Sequence, residues 1–173
     1  MKSCIETIIE RRSIKKYLPD MPSKEDIDRV IEAGLAAASG RNLQAPIIVA
    51  ITNKEIRDRL AKANAAVFGM SADPFYGAPC VLLVLGEKIA NTYVYDGSLT
   101  MGNMMLAAQE LGLGSCWIHR AKEVMALPEW QEWLKSIGLE GEYEGIGNLV
   151  LGYRDGEYPA PKERRAGRVV FVD

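Results

Sequence analysis

Ile5, Ile8 and Ile9 share one face of a helical period near the start of the chain, which predicts a short helix reaching Arg11 and Arg12. An extended segment from Ile14 to Leu18 follows it. Pro22, then Ser23 with Asp26 three residues on, makes a near capping box, and Ile27, Val30, Ile31, Gly34, Leu35 and Ala38 continue at amphipathic spacing. That is a second helix of about four turns. Ser39 to Pro46 is polar, rich in side-chain amides and closed by proline, so it reads as a loop. Ile47 to Thr52 and Cys80 to Leu85 are unbroken apolar runs, predicted as strands buried on two faces. Between them Asn53 caps a helix carrying Ile56, Leu60, Ala63 and Val67, and Gly69 stops it.

From Asp96 to Leu113 the residues favour a helix, yet Leu99, Met101, Met104, Met105, Leu106 and Leu111 leave little polar face. A helix apolar nearly all round is covered on all sides, and in a chain this small that argues for a second subunit. Ser115 to Ile118 reads as a short strand. Trp130, Trp133, Leu134 and Ile137 mark a helix opened by Pro128 and closed by Gly138, and Ile146 to Leu151 is the last core strand. Residues 153–173 form a polar arm with prolines and glycines, but it ends in Val169-Val170-Phe171-Val172. Such a run predicts a docked strand, on this chain or on another copy.

Composition narrows the possibilities. The 173 residues are expected to make one domain, with 153–173 as its docking arm. Acidic residues outnumber basic ones, 23 to 21, which disfavours nucleic acid as a partner. Three cysteines (Cys4, Cys80 and Cys116) lack metal-ligand spacing, so neither a disulfide framework nor a metal site is expected, and Cys80 and Cys116 read as small core residues. Without a signal-like segment or an apolar run of spanning length, the protein is expected in the cytoplasm and off the membrane. His119 is the only histidine and is read as structural or solvent-facing. With no G-x-S-x-G and no strand-linked G-x-G-x-x-G, hydrolase and Rossmann readings lose ground.

The positive charge is instead gathered at the two ends of the sequence, in Arg11-Arg12-Ser13-Ile14-Lys15-Lys16 and Pro161-Lys162-Glu163-Arg164-Arg165. Two such clusters in an acidic chain suit a small anionic ligand. Arg11, Ser13, Lys162 and Arg164 carry the donors a phosphate monoester needs. Asn42, Gln44, Arg12 and Lys15 carry what the polar edge of an isoalloxazine needs, including a cation near N1 and the C2 carbonyl. Each set also has a plainer reading: a solvated surface cluster for the basic residues, and satisfied loop backbone for Asn42 and Gln44.

Four segments together carry a family resemblance. Arg11 to Tyr17 resembles the R-R-S-x-R/K-x-F/Y opening of the FMN-dependent nitroreductases. Ser39-Gly40-Arg41-Asn42-Leu43-Gln44 resembles their S-x-x-N-x-Q loop, Leu111 to Ile118 is similar to their L-G-L-G-s-c-w-i run, and Pro161 to Arg164 is similar to their late P-K-x-R clamp. Ala38 and Ala45-Pro46 depart from that pattern around the second segment, and the long helical insertion of larger members is missing.

The resemblance implies an α+β fold, a mixed sheet flanked by helices, in an intertwined homodimer with exchanged C-terminal strands and FMN at the interface. It also implies that Ser39, Gly40, Asn42 and Gln44 reach the flavin of the partner, while Trp117 and Ile118 face the ring and the core. Phe68, Phe75 and Tyr76 are the expected walls of a substrate pocket. The activity implied is two-electron transfer from NADH or NADPH to a nitroarene or quinone by a ping-pong route, with the flavin in place of a catalytic side chain and Lys15 tuning it. The alternatives are a flavin storage or sensing protein, or a specialised member reducing a non-nitro substrate.

Overall fold

The computed structural model describes residues 3–172. One antiparallel sheet organises them, in the order β1 (Pro46–Ile51), β2 (Cys80–Glu87), β4 (Tyr143–Gly152) and β3 (Gly114–Ile118). Interior strand β2 is fully buried from Cys80 to Leu85, each residue 0% exposed. Its apolar run does not alternate because both faces are covered. Val81, Leu83 and Leu85 belong to one core with Leu60, Trp130 and Leu134, whereas Cys80, Leu82 and Val84 belong to another with Val30, Met101 and Met104. The similar run in β1 is an edge strand, and most of it is only half-buried. Two-faced burial therefore holds for β2 and not for β1.

The helices form the outer layers. On one side α2 (Lys24–Leu35) crosses α4 (Tyr93–Glu110), so closely that a Cβ on Gly34 would sit 2.6 Å from Met104 Cγ. On the other lie α3 (Lys54–Phe68), α5 (Ala121–Met125) and α6 (Pro128–Ser136). Ser23 and Asn53 cap α2 and α3 through their side chains, and Gly69 ends α3 at φ +71°. The five-residue α5 has too few turns to leave a periodic signal and escapes the sequence pattern. Helix α4 begins at Tyr93, ahead of the Asp96 start that its apolar run suggests.

Three apolar surfaces are left uncovered within the chain. The first helix, α1 (Cys4–Glu10), is capped by a reciprocal Ser3–Glu6 box, but Ile5, Ile8 and Ile9 face outward. In α4, Asp96, Met101 and Met104 are buried while Val94, Tyr95 and Leu99 are exposed, so the helix is covered on one side only. The C-terminal arm behaves similarly. Its first residues pair with the segment after α1, through Leu18 N–H to the Tyr153 carbonyl at 2.9 Å and Asp155 N–H to the Lys16 carbonyl at 3.1 Å. Val169 to Val172, expected as a docked strand, forms no strand and stays exposed. The fold is α+β as expected, its named strands all antiparallel. Among the described residues, parallel pairing is confined to a bridge between Ser13 and Ser115.

Candidate functional site

That bridge positions the first basic cluster. Ile14 is buried and its N–H donates to the Ser115 carbonyl at 3.0 Å, so Ser13 and Lys15, on the opposite side of an extended backbone, stay exposed along β3. Cys116 lies against this cluster. Burial pushes its thiol up from the ordinary range, while a Ser13 hydrogen bond and the charges of Lys15 and Arg11 pull the other way. The thiol thus lies in the positive field of Arg11 and Lys15, with the Ser13 hydroxyl as a hydrogen-bonding neighbour.

Arg11 Nη1 and Arg12 Nε are both cut off from water with no protein acceptor. Buried donors of this kind are costly unless a ligand satisfies them. The rest of the Arg12 head is engaged locally, because its Nη1 donates at 2.8–2.9 Å to the carbonyls of Ile9, Glu10 and Arg11 and so caps α1. The Arg12 head thus turns back on the helix through Nη1, while Nε keeps no protein acceptor.

The second segment is strained and anchored. Arg41, Asn42 and Gln44 have φ of +54°, +55° and +51°, a left-handed conformation that costs side-chain-bearing residues of order 1–3 kcal/mol each. Asp96, only 4% exposed, holds the loop: Oδ1 accepts from Gly40 N–H at 3.0 Å and Oδ2 accepts from Thr92 Oγ1 at 2.9 Å. No side chain fits at Gly40, where a Cβ would meet Thr92 Oγ1 at 2.2 Å. Ser39 Oγ accepts from Gln44 N–H at 3.0 Å, and Gln44 Nε2 donates to Asn42 Oδ1 at 3.3 Å, which joins the two amides into one strip. Asp96 and Thr92 were missed by sequence reasoning. The signal that could have found them was a lone carboxylate in the first turn of an otherwise apolar helix.

The α3–β2 connection supplies the facing wall. Asp73 accepts from Phe75 N–H and Gly77 N–H at 2.9 Å and from Arg57 Nη2 at 2.6 Å, which fixes a tight turn. Tyr76 emerges from that turn at φ +55°, with Lys15 Nζ 5.8 Å from its ring centre. Phe68 is exposed, under the guanidinium of Arg120 at 4.3 Å. Phe75 is 0% exposed within the core, so it lines no open pocket and that expectation is corrected. Trp117 and Ile118 close β3, both half-buried, and the ring of His119 lies 5.9 Å from that of Trp117.

Lys162 and Arg164 lie exposed in the arm. Upstream, Tyr158 ties the arm to the end of α1, its hydroxyl accepting from Arg12 N–H at 3.0 Å and donating to Gln109 Oε1 at 2.7 Å. Lys162 follows four residues later, a span of at most about 14 Å, so the late cluster starts beside the early one. The loop at Ser39, in contrast, is anchored on α4. Among the described residues, no group of three or more His, Cys, Asp or Glu is placed to hold a metal, and no helix is long and apolar enough to cross a membrane.

Known proteins resemble this chain in sequence and in fold. The family model described as Nitroreductase family matches residues 8–69 and 68–153. An NADPH-flavin oxidoreductase from Vibrio harveyi is 30% identical, over 98% of this chain and 73% of its own length. A protein named putative NADH dehydrogenase/NAD(P)H nitroreductase from Archaeoglobus fulgidus is 27% identical over 75% of this chain and 79% of its own. The crystal structure of a nitroreductase with bound FMN from Bacteroides fragilis superposes with a TM-score of 0.88 at 28% identity, covering all of both chains. With most of its length matched in sequence and its whole length matched in fold, this chain belongs to the nitroreductase family.

Proposed function

We propose that this chain, an FMN-dependent NAD(P)H oxidoreductase, passes two electrons to an electron-poor acceptor such as a nitroarene or quinone, by a ping-pong route, as a cytoplasmic homodimer. The observation that carries the reading is Arg11 Nη1, a buried guanidinium nitrogen without a protein acceptor two residues before Ser13. A phosphate monoester fits donors of that type, and each charge-assisted hydrogen bond to it contributes about 1.5–3 kcal/mol. Arg11 and Ser13 hold the phosphate from one side, and Lys162 and Arg164 close on it from the arm. Arg12 keeps the end of α1 in place. FMN, when bound, supplies the redox chemistry.

The chain's own residues do the rest. Lys15, exposed beside β3 and next to Tyr76, sets a positive charge against the polar edge of the ring. Trp117 and Ile118 provide a platform, and Phe68 and Tyr76 border the slot in which donor and acceptor stack in turn. The loop from Ser39 to Gln44, held open by Asp96, offers the Asn42–Gln44 amides to the flavin of a second copy. Exposed Ile5, Ile8, Ile9, Tyr95 and Leu99, with the apolar arm, favour that second copy, since faces of this kind leave water in an obligate dimer. One such domain and its arm make each half.

Two measurements test the reading. Denaturing the purified protein should release FMN, one per chain, and an absence of flavin would sink the proposal. Steady-state NAD(P)H oxidation at several acceptor concentrations should give parallel double-reciprocal lines. Intersecting lines would point to separate donor and acceptor sites, and loaded protein without turnover would favour storage.

A further inference from the structure

Arg120 has no part in the functional reading above, and its setting is unusual. It follows His119 past the end of β3 with φ at +74°, a conformation rare for a residue with a side chain and associated with functional positions. Its guanidinium lies over exposed Phe68, 4.3 Å from the ring centre. Among the described residues it makes no ion pair and no side-chain hydrogen bond, and it sits half-buried against the ring.

The surrounding cavity, about 680 Å³, is lined by Trp117, His119, Arg120, Lys122, Glu123 and Glu144 among others. The other cation in its lining is already paired. Lys122 Nζ pairs with Glu144 at 3.0 Å, whereas Glu123 lines the same cavity without a salt bridge among the described residues. The guanidinium is left as the cation free to meet an incoming anion, and its planar fork matches a carboxylate or a phosphate.

We propose that Arg120 is a specificity-determining residue of the slot, binding an anionic group, carboxylate or phosphate, on the molecule that exchanges electrons there. The inference rests on the oxidoreductase reading above. Phe68 keeps the guanidinium at the rim, and an anion can draw it across without breaking any salt bridge. The strained backbone fixes where the side chain starts. A glycine would adopt the same φ without strain, which gives a variant that keeps the fold.

The test compares wild type with Arg120→Gly and Arg120→Gln, using 4-nitrobenzoate and its neutral counterpart 4-nitrobenzamide as acceptors, and NADH and NADPH as donors. The ratio of KM for the benzoate to KM for the benzamide should rise about tenfold or more in both variants, the loss of one charge-assisted contact. A rise confined to the nicotinamide donors would assign the anion to their phosphates and would equally support the role of Arg120. Quenching of tryptophan fluorescence by the two nitroarenes reads the same affinity ratio without turnover, so an inactive preparation would count against the oxidoreductase reading while still deciding this one. Unchanged ratios for acceptors and donors, in kinetics and in quenching, would overturn the proposal.

Discussion

Two apolar runs in this chain have opposite fates. Val81 to Leu85 in β2 is 0% exposed throughout, whereas Val169 to Val172 is 71–93% exposed. Composition hardly separates them. The difference is supply of partners: β2 has β1 and β4 on its edges and helices on both faces, all from its own chain. The arm's terminal run pairs with neither edge of its own sheet, although β1 and β3 each keep an outer edge. An apolar segment is therefore core only where the chain brings an edge or a face against it, and the terminal run, left outside its own sheet, is suited to the open edge of a second copy.

Leu83→Ala should destabilise the protein by about 2–5 kcal/mol, as deletion of a fully buried side chain does, while Phe171→Ala, at a position exposed on its own chain, should cost less and act through dimer dissociation. Equal losses would mean that the arm is packed in solution as tightly as β2. Ending the chain before Arg168 should turn dimer into monomer by light scattering and release FMN with it. A truncated protein that remained a flavin-loaded dimer would place the interface elsewhere.

The pH dependence sharpens the contrast, because titratable groups in buried elements resist ionisation. Burial pushes the Cys80 thiol from 9.0 up to about 12, and burial raises the Tyr17 hydroxyl as well. Both pKa values are raised in the folded state, so their contribution is fully present below the unfolded pKa and is lost as pH rises toward the folded one. Stability should therefore fall between about pH 9 and 12, and Cys80→Ala should make that alkaline limb shallower in chemical denaturation. An unchanged slope would assign the limb to Tyr17 and Cys116.

Smaller effects separate the binding segments. Thr92→Val removes one donor to Asp96 and should weaken FMN binding by about tenfold or less through a looser loop, whereas Thr92→Ser should restore it. Lys15→Met should lower the two-electron midpoint potential by at least about 30 mV, the equivalent of roughly 1.4 kcal/mol. Arg164→Gln should weaken FMN binding with little change in potential, because the charge of the phosphate is the same in both redox states. If Lys15→Met released FMN at constant potential, Lys15 would belong with the phosphate donors instead.

What the sequence determined by itself was local. Ser23, Asn53 and Gly69 set helix ends because capping needs only neighbours within one turn, and the run from Cys80 to Leu85 announced a strand because it is too short and too uniformly apolar for an amphipathic helix. The four family-like segments were legible for the same reason, each being a contiguous string. Tertiary structure decided what depends on distant partners. It turned the similar run in β1 into an edge, moved Phe75 into the core and folded Arg12 back onto α1. It also recruited Asp96 and Tyr158 to hold loop and arm, and twisted Arg120 into a left-handed conformation that no residue type announces. Burial, strain and long-range hydrogen bonding are properties of two or more segments at once, so no reading of one segment contains them.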